Sequence, residues 1–382
     1  GRFRGIQGCP IGEVTVFGNL IGAQDTDINV AAADHGKGIG VVVQGCPSGL
    51  YLNEEILQKA LDRRKPGQDS LASTTRKEPD KPLIVSGVFK GKTTGTPIMI
   101  MIENKDVRSD SYDPLLFRPG HGDYSYHKKY GIRDYRGGGR ASARETAARV
   151  AAGAIAGLIL NQHQILIQVY TLELGNIRAK DFKDLSQKDK NTLQCPDLSA
   201  ATIMEEKIKQ IKNLGDSLGG IVEIIASNVP AGLGEPVFDK LDADIAKALM
   251  SIGAVKAVEI GAGIQASKML GSENNDEIFP EGFHTNNSGG ILAGISNGED
   301  IIARAHVKPI PSISKTQQTI DIYGNKVAIS TQGRHDICAI PRINPVCEAM
   351  MAITLADHLL RNRGGSSEKI NATYYNDLIK KL

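Results

Sequence analysis

Tryptophan is absent from the 382 residues, and Phe, Tyr and Trp together make up only 5%. A chain so poor in aromatic faces has few platforms on which single-stranded nucleic acid could stack. Charge of one sign is also missing: 45 Lys+Arg against 43 Asp+Glu leave a formal charge of +2. A global basic field for nucleic acid is therefore not expected. The five cysteines are scattered, and no Cys-x-x-Cys pair occurs. Neither a zinc site nor a redox pair is indicated, and the usage fits a reducing cytoplasm. The longest apolar run, Val150–Leu160, is too short to span a bilayer, and no basic-then-apolar leader is seen. There is no Gly-x-Gly-x-x-Gly, Walker A, His-Glu-x-x-His or nucleophile elbow.

What the chain has in quantity is glycine, 42 residues, which suits tight turns and close approach of backbone to a ligand. Hydrophobic periodicity and end signals predict helices at Asn53–Arg64, Ser142–Leu160, Ala201–Leu214, Val237–Ile252 and Pro345–Arg361. Ser142 with Glu145 reads as a capping box. Strands are expected at Gly40–Val43, Leu83–Phe89, Pro97–Ile102, Gln164–Leu172, Ile221–Ser227, Ala257–Ile260 and Val327–Ile329. The interleaving without a regular βαβ period points to an α/β or α+β layered fold. The Lys180–Asn191 segment is the best boundary candidate, but a surface loop explains it equally well.

Chemistry concentrates at Arg118–Arg149, where eight Lys/Arg face three Asp/Glu and His121 and His127 are added. Gly137-Gly138-Gly139, Arg140 and the capped start of a helix follow one another, a series suited to binding an anion. The competing reading is a solvated basic face with a flexible turn. Arg63-Arg64-Lys65 sits at a helix C-terminus, where cations also serve the macrodipole.

Arg118-Pro-Gly-His121-Gly-Asp123, Gly137-Gly-Gly-Arg140-Ala-Ser142-Ala-Arg-Glu-Thr146, Asp62-Arg-Arg-Lys-Pro-Gly67 and Lys92-Thr-Thr-Gly-Thr-Pro97 together resemble chorismate synthase. So do Gly215-Asp-Ser217, Pro230-Ala-Gly-Leu-Gly-Glu-Pro236, Asn286 with Gly289-Gly290, Lys308-Pro309 and Gly333-Arg-His-Asp336. The resemblance runs in order from about His35 to Arg361. It implies a β-α-β sandwich with helices between antiparallel sheets, a single domain over 1–382 with an atypical segment at 1–34, and a homotetramer.

The implied reaction is loss of phosphate from 5-enolpyruvylshikimate 3-phosphate by anti 1,4-elimination, giving chorismate. Reduced FMN is required although no net redox change occurs. An external flavin reductase supplies it, NADP being the associated nicotinamide; no nucleic acid or membrane partner is implied. A substrate with a phosphate and two carboxylates calls for guanidinium forks. By motif match these are Arg63, Arg64, Arg118, Arg140 and Arg334. His35 corresponds to the histidine that protonates the leaving phosphate, His121 to the one at the flavin pyrimidine edge, and Asp336 to the proton relay beside flavin N5. Ser142, Asn286, Gly290, Lys308 and Ser312 fall in stretches resembling the FMN cradle. No metal is implied.

The sequence departs from the family pattern in places. Val14-Thr15-Val16-Phe17-Gly18 is separated from His35-Gly36 by an unrelated stretch, with Ala33 and Asp34 where Glu and Ser are usual. Lys65 replaces an Arg, Gly122 an Ala, Ala141 a Ser and Ala293 a Gly. The alternatives are a flavin oxidoreductase, a non-catalytic anion-binding protein, and a family member inactivated at its N-terminal motif.

Overall fold

A computed structural model describes residues 38–65, 72, 79–104, 113–135, 142–180, 182–330 and 336–362. Two antiparallel sheets enclose a helical layer. The smaller sheet has β1 (Gly38–Val43), β2 (Pro82–Ile84) and β3 (Ile98–Glu103), in the order β1-β3-β2. The larger has β4 (Leu166–Leu174), β5 (Ile177–Arg178), β6 (Gly220–Ser227), β7 (Val255–Ile260) and β8 (Ile301–Val307), in the order β5-β4-β6-β8-β7. Every pairing in both sheets is antiparallel. Helices α1 (Glu54–Arg64) and α3 (Thr146–Asn161) pack on the small sheet, α2 (Asp123–Tyr130) lies between them in sequence, and α4 (Leu198–Asn213) precedes β6. α5 (Leu241–Met250) and α6 (Ile340–Arg361) pack on the large sheet. The expected sandwich of helices between antiparallel sheets is thus observed.

The contact at its centre is α3 against α6. The Ala-rich sequence of α3 allows the two backbones to approach closely: a Cβ added to Gly153 would lie 2.3 Å from Cβ of Ala349. Hydrophobic residues from Ile39 to Leu360 join in one buried cluster. Cys46, Cys195, Cys338 and Cys347 are buried within it. Burial raises the Cys46 and Cys195 thiols to about 11, so they act as apolar packing groups. No helix among the described residues is long and apolar enough to cross a membrane.

Several elements differ from expectation. α6 begins at Ile340 rather than Pro345 and carries Pro345 inside it. Proline lacks the N–H that would bond to the carbonyl four residues back. That carbonyl, on Pro341, instead accepts from the side-chain amide of Gln194 at 3.2 Å, so the helix runs through the proline with its acceptor satisfied. α5 starts at Leu241 rather than Val237, because Glu235 and Asp239 form a β-bridge ahead of it; Val237 and Phe238 project outward. The Leu83–Phe89 strand is split into Pro82–Ile84 and Val88–Phe89, with Gly87 between at φ +80°. β8 was not expected, although its strict inside–outside alternation, Ile301 to Val307, follows the period-2 rule. Its outward Arg304 and His306 masked it.

The Ser142–Glu145 capping box is not formed. Ser142 Oγ accepts from the Arg144 N–H at 3.2 Å, while the Glu145 carboxylate pairs with Arg149 at 2.7 Å. The first turn, Ala143–Glu145, is a 3-10 turn, and the α-helix proper opens at Thr146.

Candidate active site

The Arg118–Asp123 motif forms a turn that presents His121. Gly120 has φ +72°, and a Cβ there would meet the Pro311 ring at 2.7 Å, so only glycine serves. His121 Nδ1 lies 3.1 Å from the Pro119 carbonyl and Nε2 lies 3.0 Å from Ser312 Oγ. A carbonyl can only accept, so the proton sits on Nδ1, and Nε2 accepts from the Ser312 hydroxyl. Lys308 donates to the Gly120 carbonyl at 2.7 Å. Burial, with Arg118 and Lys308 nearby, lowers the imidazole pKa to about 4, outweighing the Pro119 carbonyl and Asp123. His121 is therefore neutral at pH 7. Burial and Lys256 also lower the Lys308 ammonium.

Arg118 is turned toward the protein. Its Nε and one terminal nitrogen grip the buried Asp123 at 2.8 and 2.9 Å, and its backbone N–H donates to the same carboxylate at 3.1 Å. Arg133 completes the enclosure, 3.4 Å from Asp123 and over the Phe117 ring.

A second group gathers at the C-terminus of α1. Arg64 is 1% exposed. Its Nε donates to Thr146 Oγ1 at 3.0 Å, and its terminal nitrogens donate to Asp80 at 3.1 Å and the Ala143 carbonyl at 2.8 Å. The sequence reading of Arg64 as an open fork is corrected: all three nitrogens already hold protein acceptors. Burial, Arg342 and Arg144 bring its pKa to about 9. Arg144 pairs with the other oxygen of Asp80 and donates to Asn104 at 2.8 Å. Its buried Nε has no partner among the described residues. Arg342 pairs with Asp336 and donates to the Arg64 carbonyl at 3.3 Å. Among the described residues three guanidiniums, Arg64, Arg144 and Arg342, thus face two carboxylates, Asp80 and Asp336. Arg144, Arg342 and Asp80 were not singled out from sequence. Arg144 in a small-residue stretch and Arg342 in an apolar one are the signals the sequence gives, and Asp80, among lysines and prolines, gives none.

Asn286 and Gly290 form a third group. The Asn286 amide donates to the Asp300 carbonyl at 2.8 Å and its oxygen accepts from Gly290 N–H at 2.7 Å. Asp276 holds the same loop, accepting from Thr285, Asn287 and Ser288 at 2.6–2.8 Å. Arg63 stands apart. It forms a bidentate pair with Glu348 at 2.8 and 2.6 Å, beside an open cleft lined by Lys190 and Asn191. Adjacent positions on a helix point about 100° apart, so Arg63 and Arg64 serve different surfaces. Lys65 pairs locally with Asp62 at 2.7 Å. His35, Arg140 and Arg334 lie outside the described residues, as does the Gly137–Gly139 loop. No group of three or more His, Cys, Asp or Glu among the described residues could hold a metal.

The chorismate synthase family profile matches residues 27–360, a span that includes His35. A chorismate synthase of Desulfosudis oleivorans is 65% identical over 331 residues, 86% of this chain and 93% of that protein.

The chain belongs to the chorismate synthase family. Another member, from Desulfatibacillum aliphaticivorans, is 62% identical over 329 residues, 86% of this chain and 91% of that protein. A crystal structure of chorismate synthase superposes with a TM-score of 0.71 at 34% identity, covering 92% of this chain and 98% of that one. Chorismate synthases are lyases of aromatic amino-acid biosynthesis, and the family places this chain in that enzyme class.

Proposed function

We propose that the chain catalyses the chorismate synthase reaction, removing phosphate from 5-enolpyruvylshikimate 3-phosphate by anti 1,4-elimination with reduced FMN bound. The observation that carries the site reading is His121: a neutral imidazole flanked by Lys308 and Arg118 and bonded to Ser312.

The donor set fits a phosphate-bearing flavin. Lys308 has a second ammonium, Lys256, near it. The Ser312 oxygen keeps lone pairs for a ligand N–H, the Asn286 amide has two protons of which one goes to the Asp300 carbonyl, and Gly289 and Gly290 at positive φ allow close backbone approach. In this reading Lys308, Ser312, Asn286, Gly290 and Ser142 hold the cofactor. Reduced FMN, when bound, supplies an electron-rich ring that assists departure of an allylic phosphate. His121 can take up a proton at Nε2 when negative charge arrives beside it, because burial and the cations Arg118 and Lys308 are what keep it neutral. His35 delivers a proton to the leaving phosphate, and Asp336, held by Arg342, carries the ring proton away. Arg140, Arg334 and Arg118 present cations to the substrate, Arg64 acts from behind them with Arg144 and Arg342, and Arg63, paired with Glu348 on another surface, is left out of the substrate set.

Reduced FMN comes from an external flavin reductase that draws on NADPH. The chain forms one domain, assembles as a homotetramer and works in the cytoplasm. The test is an anaerobic assay with dithionite-reduced FMN and no nicotinamide. Phosphate release supports the lyase reading. Turnover only with added NADPH supports the oxidoreductase alternative.

A further inference from the structure

The Gly215-Asp216-Ser217 motif is not among the proposed site residues, yet it touches the segments that carry three of them. α4 ends at Asn213, and Gly215 turns the chain at φ +65°, its N–H bonded to the Lys212 carbonyl. From this turn, bonds leave in two directions. On one side, Ser217 Oγ donates to the Ile310 carbonyl at 2.6 Å, Ser314 N–H donates to the Gly215 carbonyl at 3.0 Å, and Lys315 pairs with Asp216 at 2.7 Å. On the other, Leu218 N–H donates to the Ile337 carbonyl at 2.8 Å, next to Asp336. Gly219 leaves no room for a side chain: a Cβ there would lie 2.4 Å from the Val307 carbonyl oxygen. The 215–219 segment is therefore a brace between residues 307–315 and residue 337.

Within the braced segment, Ser312 reaches His121 and Lys308 reaches Gly120. Residues 310 and 314, fastened to the brace, flank Ser312 on either side. Ser312 belongs to an irregular stretch between β8 and the 317–329 hairpin, with no ladder of its own to hold it.

We propose that Ser217 is a positioning residue: by fastening Ile310 to the end of α4, it sets Ser312 against His121 and Lys308 over Gly120. The inference rests on the cofactor reading only in naming FMN as the ligand that benefits.

The experiment compares Ser217→Ala with Ser217→Thr, which keeps the hydroxyl. Two quantities are read: the ring titration of His121 by NMR, and the dissociation constant for oxidised and dithionite-reduced FMN. The charged groups about His121 are Arg118, Lys308 and Asp123. Ser217→Ala is expected to raise the His121 midpoint from about 4 toward the ordinary value. It should also weaken FMN about five- to tenfold, the scale of one lost hydrogen bond. Ser217→Thr restores both. If the alanine variant does not fold, Ser217→Cys, a weaker donor of similar size, should shift both readouts in the same direction. The inference is overturned if His121 titrates as in the wild type and FMN binds equally, or if the threonine variant behaves like alanine. A wild-type chain that fails to bind FMN, while His121 still responds to Ser217→Ala, sinks the cofactor reading and leaves the brace standing.

Discussion

His121 and Ser312 stand 191 residues apart in the chain and 3.0 Å apart in the fold. Their bond fixes the imidazole tautomer, and burial beside Arg118 and Lys308 brings its pKa to about 4. An unfolded histidine titrates near 6.5. Between these values the unfolded chain binds the proton and the folded chain does not, so stability falls as pH drops from about 6.5 to about 4 and is unaffected by this group above that window. NMR titration of the ligand-free protein should place His121 at about 4. His121→Ala should abolish that pH dependence and lower turnover by at least roughly a hundredfold. A His121 midpoint near 6.5 removes the basis for this account.

Asp80 is fully buried and shared by Arg64 and Arg144. Removing one partner of a buried ion pair leaves uncompensated charge, at a cost of about 3–5 kcal/mol. Asp80→Ala should destabilise the chain by about that much in urea unfolding, well beyond Asp62→Ala, whose partner Lys65 is solvated. Equal losses for the two variants would show that Asp80 does not hold the arginine cluster.

Gly153 meets Ala349 where α3 crosses α6. Gly153→Ala should improve helix propensity yet destabilise the fold by about 1–3 kcal/mol through overpacking. Ala349→Gly in the same chain should recover part of the loss, a positive coupling in the double-mutant cycle. Additive losses would mean that the helices do not touch at these two residues.

Ala293 occupies the left-handed region at φ +53°, where a Cβ costs about 1–2 kcal/mol. Glycine there relieves the strain but adds unfolded-state entropy of about 0.4–1 kcal/mol. Ala293→Gly should therefore range from neutral to stabilising by about 1.6 kcal/mol in denaturant unfolding, and a clear loss of stability would contradict the strain argument.

Much of this architecture was legible in the chain. Regular apolar spacing located α1, α3 and the strands β1, β3, β4 and β6, though not the interior strand β8, and the motif string located the loop bearing His121. What local pattern could not show was tertiary rescue. Pro345 reads as a helix start until Gln194 is seen to satisfy the Pro341 carbonyl. Glu145 reads as a cap partner until Arg149 competes for it. The α2 sequence, Asp123–Tyr130, buries only Asp123 and so lacks an apolar stripe to announce it. Arg64 reads as a free fork because nothing in its neighbourhood in sequence reveals that Asp80, Thr146 and Ala143 converge on it.

The most direct measurement is phosphate release from 5-enolpyruvylshikimate 3-phosphate under strict anaerobiosis with dithionite-reduced FMN, comparing the intact chain with His35→Ala and His121→Ala. The account predicts stoichiometric phosphate and chorismate from the intact chain with no nicotinamide present, none with oxidised FMN alone, and steep losses in both variants. Absence of phosphate release from the intact chain with reduced FMN would contradict it.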